Sequence, residues 1–65
     1  MEYTNSQMAA LIREHVHSER DRRILFDRLI NGMVLERLAE KHDLSVRQIK
    51  NIIYKNEKIL FSKLP

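Results

Sequence analysis

The chain has 65 residues, no cysteine, one glycine and one proline, and it carries 12 Lys and Arg against 9 Asp and Glu. Its length bounds it to one small domain, residues 1–65, with a core of marginal size, and without cysteine neither a disulfide nor a thiolate metal site supports the fold. No apolar run is long enough to span a membrane, and the polar start MEYTNSQ is unlike a secretory leader. We therefore expect a cytoplasmic protein with no membrane partner.

The scarcity of glycine and proline indicates a helical protein. Strand-forming runs bounded by turn signals are missing, and Leu, Ile, Arg, Lys and Glu dominate the composition. We predict the all-α class. The predicted architecture is a four-helix small domain, in which an N-terminal helix precedes a tri-helical core that ends in a helix-turn-helix.

The first two predicted helices each begin at a hydroxyl side chain. Thr4 and Gln7 have the spacing of a capping box, which opens a helix over about residues 4–17. Ser18 is the next cap, and Gly32 ends the second helix because it is free to adopt a positive φ. The residues expected to be buried are Met8, Leu11, Ile12 and Val16 in the first helix and Ile24, Leu25, Leu29 and Ile30 in the second.

The third and fourth predicted helices lie close together in sequence. The third runs from about Leu35 to His42. Val34 stands at its cap position, and a valine side chain cannot cap a helix. Ser45 and Gln48 form another capping-box pattern, and no helix breaker follows before Pro65. The residues expected on the buried face of the final helix are Ile49, Ile52, Ile53, Asn56 and Leu60, with Leu64 near its end.

The short connection between these two helices has the pattern of a helix-turn-helix. Ala39 is small enough to let the second helix cross close to the first, and Leu44, Ile49 and Ile52 would close the core between them. Asp43 stands where a glycine is common, and Asp tolerates the left-handed conformation better than most residues. In such a motif the second helix lies in the major groove of DNA. The alternative is an ordinary helical hairpin in a small bundle.

Positive charge is concentrated in the last third of the chain. Residues 1–43 carry 7 Lys and Arg against 8 Asp and Glu, whereas residues 44–65 carry 5 against 1. This asymmetry favours a polyanionic partner for the final helix. The alternative is a solvated face that only maintains solubility. The predicted DNA-binding residues are Ser45, Val46, Arg47, Gln48, Lys50, Asn51, Tyr54, Lys55 and Lys58.

These residue types suit different parts of duplex DNA. Arginine reads guanine through two hydrogen bonds, Asn and Gln read adenine, and an apolar side chain such as Val46 packs on a thymine methyl group. Lys55 and Lys58 suit phosphates, and the helix start at Ser45 can hold another. The candidates for base reading are Arg47, Gln48, Lys50 and Asn51.

Two segments, SERDRRIL and RLINGMVLERLAEKHDLSVRQIKNIIYKNEKILF, carry a family resemblance over residues 18–64. They resemble the C-terminal, promoter-reading domain four of bacterial sigma factors, and most closely the short sigma-factor-like proteins of prophages and mobile elements. Gly32, the Leu38-Ala39 pair and Ser45 stand at the matching positions. The resemblance implies sequence-specific binding of double-stranded DNA in transcription regulation, through Val46, Arg47, Gln48, Lys50 and Asn51.

The chain departs from that family in two ways. Val34 replaces the usual Ser or Thr cap, and no segment resembles the sigma domains that bind the polymerase clamp and melt the promoter. We therefore expect either an accessory regulator or a module that docks on polymerase as this domain of sigma factors does. The alternative is a protein-interaction module that docks on RNA polymerase or another regulator without direct DNA contact.

The sequence gives little support for a metal site, a cofactor site or an enzyme active site. His15 and His17 fall on different faces of a helix, and with His42 they are expected at the surface, so we predict no metal site. The carboxylates follow helix-surface patterns beside Arg or Lys, and we predict neither a cofactor nor an enzyme. A homodimer is an open alternative, because more apolar surface is expected than a small domain covers. The side chains concerned are Phe26, Tyr54, Phe61 and Leu64.

Overall fold

A computed structural model describes residues 4–62, and within this range four α-helices enclose one small core. No strand occurs among these residues, so the predicted all-α class is confirmed. Within the same range, no helix has the length and apolar character needed to cross a membrane. The helices are α1 (Asn5–His15), α2 (Glu19–Leu25), α3 (Leu35–His42) and α4 (Val46–Ser62), and a π-helical turn (Phe26–Ile30) continues α2.

The first two helices begin at the predicted caps. The backbone N–H of Gln7 donates to the Thr4 hydroxyl at 3.2 Å, and the Gln7 side chain accepts from the Thr4 N–H at 2.9 Å. The Ser18 hydroxyl accepts from the N–H of Asp21 at 3.3 Å. Each bond satisfies a backbone donor that the first turn of a helix leaves free.

The first helix ends at His15, two residues before the predicted end. Val16 leaves the helix with φ −106° and ψ 112°, which lets its side chain enter the core, where it is 2% exposed. The guanidinium of Arg22 donates to the carbonyl of Val16 and, at 3.3 Å, to that of Arg13. A cation from α2 thus satisfies two carbonyls, one in the last turn of α1 and one just beyond it.

The core draws on every helix. Leu29 and Ile30, predicted to be buried, are only half-buried but pack against the core, as do Met8 and Leu11. Leu64 lies outside the described residues. The fully packed apolar side chains are Ile12, Val16, Ile24, Leu25, Leu38, Ile49, Ile53 and Leu60.

The end of the second helix contains a feature that was not predicted. The N–H of Asn31 donates to the carbonyl of Phe26 at 3.2 Å, and the N–H of Met33 donates to that of Asp27 at 2.9 Å. The first bond spans five residues and belongs to a π-helical turn, which is rare compared with the α-helix. The second spans six residues and closes the chain after that turn. Gly32 follows at φ +69°, as expected for the residue that ends this segment.

Asp27, inside the π-helical turn, ties that turn to α3. Its carboxylate accepts hydrogen bonds from Lys41 at 2.8 Å and from Asn31 at 3.2 Å, and it lies 3.1 Å from Nε2 of His42. Asp27 is 7% exposed. The prediction that the carboxylates and His42 lie at the surface is therefore wrong here. Both side chains are withdrawn from solvent because they satisfy each other across two helices.

A second buried carboxylate joins α2 to α4. The side-chain amide of Asn56 donates to Asp21 at 3.3 Å and to the carbonyl of Ile52 at 2.8 Å. Asp21 is 9% exposed and Asn56 4%. Asn56 was predicted on the buried face of α4, and this is confirmed. Asp21 was expected among the solvated acids, and that expectation is wrong because Asn56 supplies it with a buried partner.

Asp27 makes the stability of the fold depend on acid. Burial alone would raise the pKa of its carboxyl, but the hydrogen bonds from Lys41, His42 and Asn31 together hold the pKa below its ordinary value of 3.8. The folded state therefore favours the charged form. The stabilisation is complete above the ordinary pKa and is lost as the pH falls through the lowered pKa of the folded state.

We expect Asp27→Asn to lower the free energy of unfolding at pH 7 by about 1–3 kcal/mol, because it removes the charged acceptor of a buried cluster. As the pH falls below the ordinary pKa of 3.8, the difference from the parent protein should shrink, since the parent carboxyl also loses its charge on further acidification. Urea denaturation followed by circular dichroism across this pH range measures both. Asp43→Asn, at an exposed position, is the matched control. A gap that stays constant with pH would contradict the role of the charge.

The start of α3 offers a gain in stability. Val34 occupies the cap position with φ −73° and ψ 156°, makes no side-chain capping bond, and is 53% exposed. This extended backbone is the conformation that a capping residue adopts. We expect Val34→Thr to raise the free energy of unfolding by about 1 kcal/mol, because the hydroxyl would satisfy a free N–H. Val34→Ala removes the same branched side chain without adding a hydroxyl and should give no gain in the denaturation midpoint.

Candidate nucleic-acid interface

The chain turns sharply between α3 and α4. Asp43 adopts the left-handed conformation, with φ 56° and ψ 47°, as its position in the sequence predicts. The N–H groups of Asp43 and Leu44 both point to the carbonyl of Ala39, which Leu44 reaches at 2.9 Å. These bonds close the end of α3. Two residues after the left-handed position, Ser45 leads directly into α4.

The start of α4 is fixed by a reciprocal cap. The Ser45 hydroxyl accepts from the N–H of Gln48 at 3.1 Å, and the Gln48 side-chain oxygen accepts from the N–H of Ser45 at 2.9 Å. This confirms the predicted capping box. It also turns the amide oxygen of Gln48 toward the backbone and occupies one of its two lone pairs. Reading adenine needs both ends of the amide, and Gln48 is therefore a weaker candidate than Asn51.

The two sides of α4 differ sharply in burial and charge. One side faces the core with Ile49, Ile53, Asn56 and Leu60. Of the nine predicted site residues, Val46 is half-buried at the edge and the others are exposed. The acidic residue of this helix, Glu57, is half-buried. We call the exposed side the outer face of α4, formed by Arg47, Lys50, Asn51, Tyr54, Lys55 and Lys58.

The length of α4 separates this outer face into two parts. Its 17 residues span about 25 Å at a rise of 1.5 Å each, whereas the major groove is about 12 Å wide. Arg47, Lys50 and Asn51 lie in the first two turns, next to the capped start. Lys55 and Lys58 lie one to two turns further along. The outer face therefore has a group of mixed chemistry at its capped end and a pair of lysines beyond it.

An arginine from α2 lies beside this surface and was not predicted. A shallow depression of about 200 Å³ is lined by Arg20, Leu44, Gln48, Asn51 and Ile52. The side chain of Arg20 is 60% exposed, and its Nε lies 3.4 Å from the Asp21 carboxylate. The Ser18 cap indicates that Arg20 lies in the first turn of α2, but nothing in the sequence indicates that this turn packs beside α4.

Two other depressions lie along α3, away from this face. One, of about 410 Å³, is lined by Met33, Arg37, Glu40 and Lys41. The other, of about 380 Å³, is lined by Arg23, Phe26, Asp27, Lys41 and His42. Charged side chains make up most of both linings. Within residues 4–62, no group of three or more His, Cys, Asp and Glu side chains is gathered as a metal ion would need.

Comparison of the chain with protein-family models, with curated proteins and with solved structures finds no match. The resemblance to domain four of sigma factors therefore remains a prediction that rests on the motif residues themselves. The functional argument is carried by the outer face of α4 and the residues beside it.

Proposed function

We propose that this protein binds double-stranded DNA sequence-specifically and acts in transcriptional regulation, with α4 as the recognition helix in the major groove. The outer face of α4 is the observation that supports this most directly. It combines exposed side chains able to read bases with exposed lysines, and it follows a tight, left-handed turn after α3. Helix-turn-helix proteins present their second helix to DNA in this manner.

Each part of the surface has a proposed role. Arg47 is the candidate for bidentate contact with guanine, with Lys50 beside it, and Asn51 is the candidate for adenine. Lys55 and Lys58 are proposed to hold phosphates. The capped start at Ser45 adds backbone N–H groups and a hydroxyl that suit another phosphate. Val46 and Tyr54 would add apolar contact at the edges.

Selection from a pool of random short duplexes, followed by sequencing, tests this proposal. We expect enrichment of one motif. The logarithm of the affinity should fall linearly with log salt with a slope of roughly −2, because two lysines are proposed to hold phosphates and each neutralised phosphate contributes about −0.9. A palindromic motif with half-sites about one helical turn apart would indicate a two-fold dimer. Absence of both enrichment and salt dependence would overturn the proposal.

A protein-docking role is the second candidate. Tyr54 is 59% exposed and Phe61 49% exposed, and both lie on α4. Exposed aromatic side chains of this size are enriched at protein interfaces. This favours a partner such as RNA polymerase or another regulator for the later turns of α4. It ranks second because each of the two depressions along α3 is lined by three charged side chains, whereas a docking groove needs an apolar centre.

A further inference from the structure

We infer that Arg20, on α2, holds a phosphate of the DNA backbone next to the outer face of α4. This rests on the proposed function and extends the interface from one helix to two. The inference begins from position. Arg20 shares one depression with Gln48 and Asn51, both predicted to contact DNA, and with the turn residue Leu44. A duplex that engages Asn51 would bring its backbone over this depression.

The hydrogen bonds of Arg20 leave it able to bind an anion. Its Nε lies 3.4 Å from the carboxylate of Asp21. Among residues 4–62, its two terminal NH₂ groups donate no hydrogen bond, and the side chain is 60% exposed. A guanidinium presents its donors in a flat fork that matches two phosphate oxygens. The free edge of Arg20 therefore has the chemistry for a phosphate.

A chain of polar contacts fixes Arg20 relative to α4. Asp21, which holds its Nε, is 9% exposed and accepts from Asn56 at 3.3 Å. Asn56 in turn donates to the carbonyl of Ile52, at 2.8 Å. Asp21 and Asn56 are therefore positioning residues. They keep the guanidinium beside α4 without touching DNA themselves. This lowers the cost of ordering a long side chain on binding.

A phosphate contact has a distinctive signature in binding data. It weakens binding to all sequences by a similar factor and contributes about one unit to the salt slope, whereas a base contact affects mainly the selected sequence. The test measures the affinity of Arg20→Ala for the selected duplex and for a random duplex of the same length across a salt series. We expect the same several-fold loss on both duplexes, and a salt slope less steep by about 1.

Arg23→Ala is the matched control. Arg23 lies on the same helix, is 70% exposed and is paired with Glu19 at 2.7 Å, but it lines the depression beside α3. It should change neither the affinity nor the slope. Circular dichroism and the denaturation midpoint check that both variants fold.

Three outcomes would overturn the inference. Arg20→Ala could bind like Arg23→Ala, it could lose affinity only on the selected duplex, or it could keep the full salt slope. In each case the parent protein still binds DNA, so the proposed function stands. If the parent protein itself shows no salt-dependent binding, the proposed function fails first and the role of Arg20 fails with it.

Discussion

Ile49→Ala is expected to lower the free energy of unfolding by about 2–5 kcal/mol. Ile49 is 0% exposed and lies where α4 packs on the rest of the core. Truncating a buried isoleucine to alanine costs about 2–5 kcal/mol, because the lost apolar contact and the remaining cavity both count. A domain of this size is stabilised by roughly 3–10 kcal/mol in total, at about 0.05–0.15 kcal/mol per residue. One core residue can therefore remove much of the margin.

Ile59→Ala is the control for this experiment. It makes the same substitution on the same helix, but Ile59 is 37% exposed. Its cost should stay near the range of about 0.5 kcal/mol seen for surface substitutions. Urea denaturation followed by circular dichroism compares the two variants. Equal costs would show that the core does not extend to Ile49 as described.

Arg47→Ala is expected to weaken binding to the selected duplex by roughly 1–3 kcal/mol, which is about 5- to 150-fold. Arg47 is exposed in the first turn of α4, next to Asn51 on the outer face. If it reads a guanine through two hydrogen bonds, its removal should relax the preference at one base pair. Binding to a random duplex should fall much less. Competition binding with the two duplexes measures both effects.

Arg47→Lys separates charge from geometry at the same position. Lysine keeps the positive charge but loses the planar fork that allows bidentate recognition. We expect this variant to bind the random duplex like the parent protein while losing part of the preference for the selected one. If Arg47→Ala instead loses equal affinity for both duplexes, Arg47 is a phosphate ligand and base reading must come from elsewhere on the outer face.

Local chemistry made much of this fold predictable from the sequence. The caps at Thr4, Ser18 and Ser45 act within three residues of themselves, so the sequence alone indicates where those helices begin. Gly32 and Asp43 adopt the positive φ angles that their residue types predict. The spacing of apolar residues likewise identified the buried face of α4.

Contacts between distant residues were not predictable in the same way. Asp27 meets its partners Lys41 and His42 across 14 and 15 positions, and Asp21 meets Asn56 across 35. A carboxylate in a helix is usually solvated, and only the packed fold reveals a partner that permits its burial. The π-helical turn was not predicted for a related reason, because no local sequence pattern specifies it.

The candidate interface also has a part that the sequence predicts and a part that depends on contacts between distant residues. Its residues on α4 follow from helical periodicity, because those opposite the apolar stripe must be exposed. The capping-box pattern predicts that the Gln48 side chain bonds to the backbone of Ser45. The observed bonds confirm this and make Gln48 a weaker candidate for reading a base. The position of Arg20 beside α4 depends on how α2 packs against α4. No pattern in the sequence predicts that packing.

The buried pair of Asp21 and Asn56 also defines the alignment of α4. Apolar side chains recur along this helix at spacings of three and four. Apolar packing alone therefore distinguishes poorly between neighbouring registers of α4 against the core. A slide by one turn, about 5.4 Å, would carry Asn56 away from Asp21. One buried carboxylate oxygen, Oδ2, would then lose its partner, which costs about 1–3 kcal/mol. The side-chain amide of Asn56 therefore disfavours shifted registers that apolar packing alone would allow. The correct register is also the one that sets Arg20 beside Asn51.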